Sequence, residues 1–488
     1  MKNIVLLFSF AFTLFACDSA LEEHPKSVAA ETFYNTVEEA SAAVLAPLNK
    51  LRGEFNGMSF PTMQEASADY SYGRGSWTEI SDYLGLNTSS NITRAGTIWG
   101  NLYGAIRDCN IALSRLPEAT GMSETEKSAF IGELRFIRGF AYYYLVRLYR
   151  GCPLRTENNM AEYNLAKSSV DEIYSFLIDD FVYASNYAPA TARVAGTPTK
   201  YAASGMLSDV YLQLQKYKEA ASEAKKVIDS GKYALISVSS SRDFDKVFGA
   251  NVNGTSEEVF YLKNDNATGN EGWPYVMICA HPKAMIDGQH MLGTGIGWYG
   301  LYTTGSNKLI QEWDDADLRK KLNLVQLNFG LGDDTYLFCK FYDPGALGKN
   351  GAGNDWPVLR YPDVLLNYAE ATARQNGAPT AESMEMVNII RRRAYGYNPT
   401  TVSPVDYKLE EYNTLDKFIG LLVKEEGYEC MNEAKRWLYL CRLGVAKQTI
   451  KEVKEIEVAD KHLVWPIPVT EFNYNTAMDE STDQNPGY

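Results

Sequence analysis

Histidine is scarce in this chain. His24, His281, His290 and His462 are the only four in 488 residues, and none has the spacing of a metal-ligand pair. HExxH, a phosphate-binding glycine loop and GxSxG are also missing, so the common zinc, nucleotide and serine-hydrolase chemistries have no foothold. Cysteine is sparse: seven, widely spaced, with no C-x-x-C, which argues against a zinc site or a thioredoxin-like motif. Positive charge is in deficit, with 47 Lys and Arg against 61 Asp and Glu, a formal net charge of −14. Such a surface repels nucleic-acid phosphates and does not dock on anionic lipid by charge alone. Beyond the first 16 residues there is no run of 18 apolar residues, so no transmembrane helix is predicted.

What is present starts at the N-terminus. Lys2 precedes an apolar stretch over 4–16 that ends in Leu14-Phe15-Ala16-Cys17. The stretch is too short to span a bilayer, which takes about 20 residues. It reads as a signal peptide over 1–16 with the cleavage and acylation pattern of a bacterial lipoprotein, Cys17 being the lipid anchor. An ordinary signal peptide with a chance cysteine is the alternative. Residues 17–30, with Pro25, read as a polar tether. The other six cysteines (Cys109, Cys152, Cys279, Cys339, Cys430, Cys441) are expected to be mostly free and buried, although a disulfide pairing cannot be read from spacing.

Tyrosine is abundant: 33 residues, within 12% aromatics, enough to fill a core and still leave rings for a binding face. Helical periodicity is found at 31–51, 99–116, 123–149, 168–187, 199–230, 362–376, 380–394 and 415–443. In 199–230, Leu207, Tyr211, Tyr217 and Ala220 fall at tetratricopeptide offsets, and such a unit needs neighbours to bury its second face. The stretches 53–95 and 231–360 are rich in Gly, Asn, Ser and aromatics and read as long ordered loops, with strand-like runs at 258–263 and 335–342. The tail from 462 reads as an extended strap.

Several blocks then resemble one family. Glu133-Leu134-Arg135-Phe136-Ile137-Arg138-Gly139-Phe140-Ala141 and on to Gly151-Cys152-Pro153-Leu154 form the first. Arg360-Tyr361-Pro362-Asp363 through Ala371 form the second, and Val387-Asn388 with Arg391, Arg393 and Ala394 the third. Leu463-Val464-Trp465-Pro466-Ile467-Pro468 and Gln484-Asn485-Pro486-Gly487-Tyr488 close the chain. In this order they resemble the SusD/RagB-like outer-membrane lipoproteins of Bacteroidota. One block departs from the family pattern at Glu425-Glu426, Glu429-Cys430, Glu433-Ala434 and Tyr439-Leu440, while Arg436-Trp437 is kept. It is read as structural, with Arg436 on a carboxylate and Trp437 in the core. The resemblance implies a mainly α-helical fold: four tetratricopeptide-like helix pairs, with the loop-rich remainder packed on one side. Residues 31–488 would form one such domain, with helices mainly within 31–50, 99–230 and 362–443 and ligand-facing regions at about 53–95 and 231–360. It also implies a role, surface capture of a glycan without catalysis or cofactor, and a partner, a SusC-like TonB-dependent transporter on which the protein sits as a lid.

Glycan capture needs aromatic faces for sugar C–H patches and planar polar groups for hydroxyls. Two regions supply both. One is Asp69-Tyr70-Ser71-Tyr72-Gly73-Arg74-Gly75-Ser76-Trp77, continuing to Asp82, Tyr83 and Asn87. The other is Trp273-Pro274-Tyr275 with Gly297-Trp298-Tyr299-Gly300-Leu301-Tyr302. The candidates are Trp77, Trp298, Tyr299, Tyr72, Arg74, Trp273, Tyr275, Tyr302 and Asp69. Trp77, Trp298 and Tyr299 lead because Gly and Ser flank them. Each ring has the alternative of plugging a satellite core, and Arg74 that of a solvated loop charge. Trp99, Tyr103, Trp356, Trp437 and Trp465 read as structural. Asp314, Asp315 and Asp317 lack the EF-hand ligand pattern, so no metal is assigned. Two other readings stay open: a peptide or glycopeptide cargo in the same lid role, and, more remotely, a surface glycoside hydrolase, whose carboxylate pair cannot be sorted from 61 acids.

Overall fold

The computed structural model describes residues 33–55, 57–86, 88–266, 272–348 and 351–488. The signal peptide, the tether, Cys17 and Asn87 lie outside the described residues.

Four helix pairs form the frame. They are α1 (Val37–Phe55) with α3 (Ser89–Arg115), α4 (Glu124–Tyr149) with α5 (Val170–Tyr187), α6 (Lys200–Gln213) with α7 (Tyr217–Asp229), and α8 (Tyr361–Asn376) with α9 (Ala381–Ala394). The pairs also stack in series: α3 on α4, α5 on α6, and α7 on α8. A second face of each pair is thereby buried, as the repeat logic requires. The starts are written locally. Ser123 and Ser169 cap α4 and α5, each in a capping box with the glutamate three residues on, Glu126 and Glu172. Asn376 is followed by Gly377 at φ +72°, which ends α8. Beyond the pairs, α10 (Leu415–Glu429) packs on α8, and α11 (Arg436–Leu443) leads into α12 (Ala446–Lys454).

The stretch 53–95 departs from its loop reading. It contains α2 (Ser59–Ala66), a 3₁₀ turn at Gly75–Trp77, a short helix Thr78–Ser81 and the first turns of α3. The tail is likewise not purely extended, holding short helices at Val469–Tyr474 and Glu480–Asp483. It does strap the frame: the Trp465 N–H donates to Leu148 O at 2.7 Å, and Asn485 Nδ2 donates to Tyr149 O at 2.9 Å. Phe55, Phe60, Tyr144 and Trp356 meet in the core, Phe55 stacked on Trp356 at 5.3 Å. The six described cysteines are free, five of them buried.

The helix-pair frame is locked to the irregular region by ions. Arg360, fully buried, bonds Glu429 Oε1 at 2.8 Å and both Glu433 oxygens at 2.6 and 2.9 Å, with Glu257 at 3.3 Å. Arg393 meets Glu257 and Glu429, Arg319 meets Asp317, Glu425 and Glu429, and Lys340 meets Glu433. This is the role of the departing block: Glu425, Glu429 and Glu433 recur every four residues and turn one face of α10 and the following turn into a carboxylate ladder. Arg436 pairs with Asp69 at 2.8 Å and Glu426 at 2.6 Å, and Trp437 is buried beside Tyr83.

A four-stranded antiparallel sheet positions the surface of interest. Its order is Tyr72–Gly73, Leu301–Thr304, Thr335–Phe338, Leu324–Gln326.

Candidate functional site

The sheet brings the two candidate regions side by side. Tyr72 pairs with Tyr302 and Gly73 with Leu301, and the Arg74 N–H continues the ladder to Gly300 O at 2.8 Å. The segment 298–300 is itself fastened to the end of a short helix, Tyr275–Cys279. Trp298 N–H donates to Met277 O (2.8 Å), Tyr299 N–H to Ala280 O (3.0 Å) and Gly300 N–H to Ile278 O (2.7 Å). This rigid seat raises Trp298, which is 51% exposed. Tyr299 adopts φ +40°, a strained value for a residue with a side chain, and strain of this kind concentrates at binding sites.

Arg74 lies between rings. Its guanidinium sits 4.5 Å from the Tyr299 centroid and 5.2 Å from that of Phe329, and Nη1 donates to Tyr299 O at 3.3 Å. His281 packs on Tyr299 (4.4 Å) and Phe329 (5.5 Å), and Tyr302 reaches both Tyr72 (5.6 Å) and Phe329 (6.2 Å). Burial first, then Lys283 and Arg74, hold the His281 imidazole below its ordinary pKa. Its Nδ1 accepts the Lys283 N–H at 3.0 Å, so the neutral ring carries its proton on Nε2. Arg74, Gly75, Ser76, Trp77, Ile278, Trp298, Tyr299 and Gly300 line a surface depression of about 380 Å³. Its chemistry is that of a platform: flat apolar rings beside planar donors.

Trp77 is the leading candidate that the structure demotes. Only 6% of it is exposed, because Arg94 from α3 lies 3.7 Å above the ring and Gly300 packs close against the indole. It lines the depression as a wall and does not protrude. Three candidates leave the surface altogether. Trp273 is buried against Tyr275 and Phe341. Tyr275 is buried with its hydroxyl on Asn432 Oδ1. Asp69 is buried, both carboxylate oxygens taken by Arg436 at 2.8 and 2.9 Å. Asp69 acts on the site by position, fixing the start of the Arg74 loop to α11. Phe329, His281 and Arg94 were missed. Phe329 sits beside Gly330 and near Gly332, the same flanking signal that singled out Trp298.

Glu65 is a second fastening of that loop. It is fully buried at the end of α2, accepting from the Tyr70 hydroxyl and the Ala434 N–H, each at 2.6 Å. Burial pushes its pKa up to about 7. The folded state therefore holds a proton that the unfolded chain releases near its ordinary value of 4.5. That contribution to stability is complete below pH 4.5 and is lost as pH rises to about 7, amounting to roughly 3 kcal/mol. Glu65→Gln, which stays neutral, is expected to remove this part of the slope in urea unfolding measured from pH 4.5 to 7; an unaltered slope would assign it to other groups.

A larger groove of about 660 Å³ runs along α3, between Trp99, Tyr103, Met160 and Tyr474. Its polar groups are committed internally: Asn110 bonds Arg138 and Arg155 O, and Arg155 donates to the Glu162 and Tyr163 carbonyls.

Comparison with known proteins follows the same outline. Residues 21–212 match the SusD-like family model described as starch-binding and associating with the outer membrane, and residues 332–488 match the SusD family model. The SusD-like protein P2 of Formosa agariphila is 26% identical, covering 99% of this chain and 98% of its own length. Among solved structures, a SusD homolog from Bacteroides thetaiotaomicron superposes with a TM-score of 0.76 at 20% identity, over 94% of this chain and 98% of that one. A laminarin-binding SusD-like protein does so with a TM-score of 0.75 at 20% identity, over 93% and 100%. Two family models matched in order at the two ends, a curated relative of nearly equal extent and a shared helix-pair fold lead to one conclusion: the chain belongs to the SusD/RagB-like family, whose members bind carbohydrate in association with the outer membrane.

Proposed function

We propose that the Trp298 face captures an oligo- or polysaccharide at the cell surface, without chemical change, and passes it to a SusC-like TonB-dependent transporter that the protein covers as a lid. Acyl chains on Cys17 would hold it to the outer membrane. The observation that carries this reading is a half-exposed indole on a rigid seat, sharing one depression with Tyr299 and Arg74. A sugar ring lays its C–H face on such a ring while a guanidinium takes two hydroxyls or a carboxylate. The laminarin-binding relative shows that this fold can serve a saccharide.

A broad glycan array probed with residues 18–488 tests it. A hit on one glycan class names the cargo; a blank array with folded protein moves the reading to peptide cargo or to a lid that binds only with its transporter. Trp298→Ala is expected to weaken the hit about tenfold or more, as loss of a central aromatic anchor does, without moving the thermal midpoint. An unchanged affinity would remove Trp298 from the site.

A further inference from the structure

We infer that the captured saccharide is anionic, bearing carboxylate or sulfate groups, and that Arg74 and Arg94 recognise them; this rests on reading the face as a saccharide site. The chain has 61 acidic residues against 47 basic ones, yet the depression is lined by one charged side chain, Arg74, and no acid. Buried arginines elsewhere meet carboxylates: Arg138 with Asp180, Arg360 with Glu429, Arg392 with Asp406, Arg436 with Asp69, Arg442 with Glu370. Arg74 and Arg94 differ. Among the described residues Arg74 touches Tyr299 O and two ring faces. Arg94 touches Asn91 Oδ1 at 2.6 Å, Ser76 Oγ at 3.1 Å and the Trp77 face at 3.7 Å.

A guanidinium seated on an aromatic ring keeps its full charge, and its rigid fork suits carboxylate or sulfate oxygens. Among the described residues neither arginine meets a carboxylate. The exposed Lys283 adds a third positive group next to His281, and the charges acting on that imidazole, Lys283 and Arg74, are both cationic. The nearby acids Glu79 and Asp82 take neutral donors, Asn91 Nδ2 at 3.1 Å and Ser81 Oγ at 3.0 Å, and keep their charge, but they stand outside the depression, whose lining holds Arg74 and no acid. The face is therefore a positive spot on a negative molecule. A neutral glycan would use the rings and donors but leave two half-buried guanidinium groups without a counter-ion; an anionic one supplies that partner.

The test is calorimetric titration of the detergent-solubilised full chain with matched pairs: oligogalacturonate against its methyl ester, and a sulfated galactan oligosaccharide against its desulfated form. At least one charged member is expected to bind about tenfold or more tightly than its neutral twin in 50 mM salt, with the gap narrowing at 500 mM. Arg74→Gln with Arg94→Gln is expected to abolish that gap, with circular dichroism checking the fold; the salt dependence of the unaltered protein stands without any variant. Neutral twins or neutral array glycans binding as well as charged ones, and lost in Trp298→Ala, would overturn the anionic inference while leaving saccharide capture in place. Binding of polyglutamate with no saccharide of either kind, or of nothing, would overturn both.

Discussion

Arg360→Met is expected to lower the unfolding free energy by roughly 3–5 kcal/mol, the usual cost of breaking a buried ion pair from one side. The residue has no exposure, and its three nitrogens contact Glu257, Glu429 and Glu433. Without it, those carboxylates remain buried and share Arg393, Arg319, Lys340 and Lys435. The neighbouring cations hold Glu433 down at about 2 and Glu429 well below its ordinary value. Their contribution to stability is therefore present above pH 4.5 and lost as pH falls toward 2. The variant should show a shallower loss of stability over that acid range as well as a lower urea midpoint at pH 7. Lys424→Met is the natural control: its bond to Glu312 is exposed on both sides and should contribute less than about 1 kcal/mol. Equal costs for the two variants would mean that the buried network is replaceable by packing.

Gly297→Ala is expected to lower saccharide affinity by more than about tenfold and stability by about 1–3 kcal/mol, the range for overpacking. A methyl group there would overlap the Ala280 carbonyl and the His281 nitrogen, both backbone atoms that no rotamer change can move aside. Relief requires lifting the 298–300 segment, which breaks up to three backbone hydrogen bonds to Met277, Ala280 and Ile278 and tilts Trp298 and Tyr299 together. Titration with the array hit and a thermal melt read the two effects; an unaltered affinity with a lowered midpoint would show that the seat can shift without carrying the rings.

The helix pairs were legible because their signals are local. Ser123 and Ser169 with their glutamates, and Gly377, mark ends that sequence reading placed within two residues. The start of α3 was missed because the Ser- and Asn-rich stretch from Ser89 read as part of the 53–95 loop, whereas in the fold the helix begins at Ser89, and its glycines Gly96 and Gly104 admit Pro468 and Lys50. The short α2 offers too few turns for a period to show. At the candidate site, the exposure of Trp298 was readable from its glycine neighbour Gly297. The burial of Asp69 was not, because its partner Arg436 lies 367 residues away. Nor was the fate of Tyr275, decided by Asn432, 157 residues on. A polar residue in a glycine-rich stretch looks free until the distant chain that claims it is known.

Those distances bear on how the polypeptide is made. Glu65 waits for Ala434, Asp69 for Arg436, Leu148 for Trp465 and Tyr149 for Asn485. Such non-local closure slows folding, since loop entropy is spent before these contacts form. Ala434 and Arg436 are made long after the loop they fasten, so a product that stops before them leaves Glu65 without its Ala434 donor and Asp69 without its guanidinium. Synthesis through Arg436 thus acts as a checkpoint: a chain that stops short of it lacks the groups that fix the binding loop.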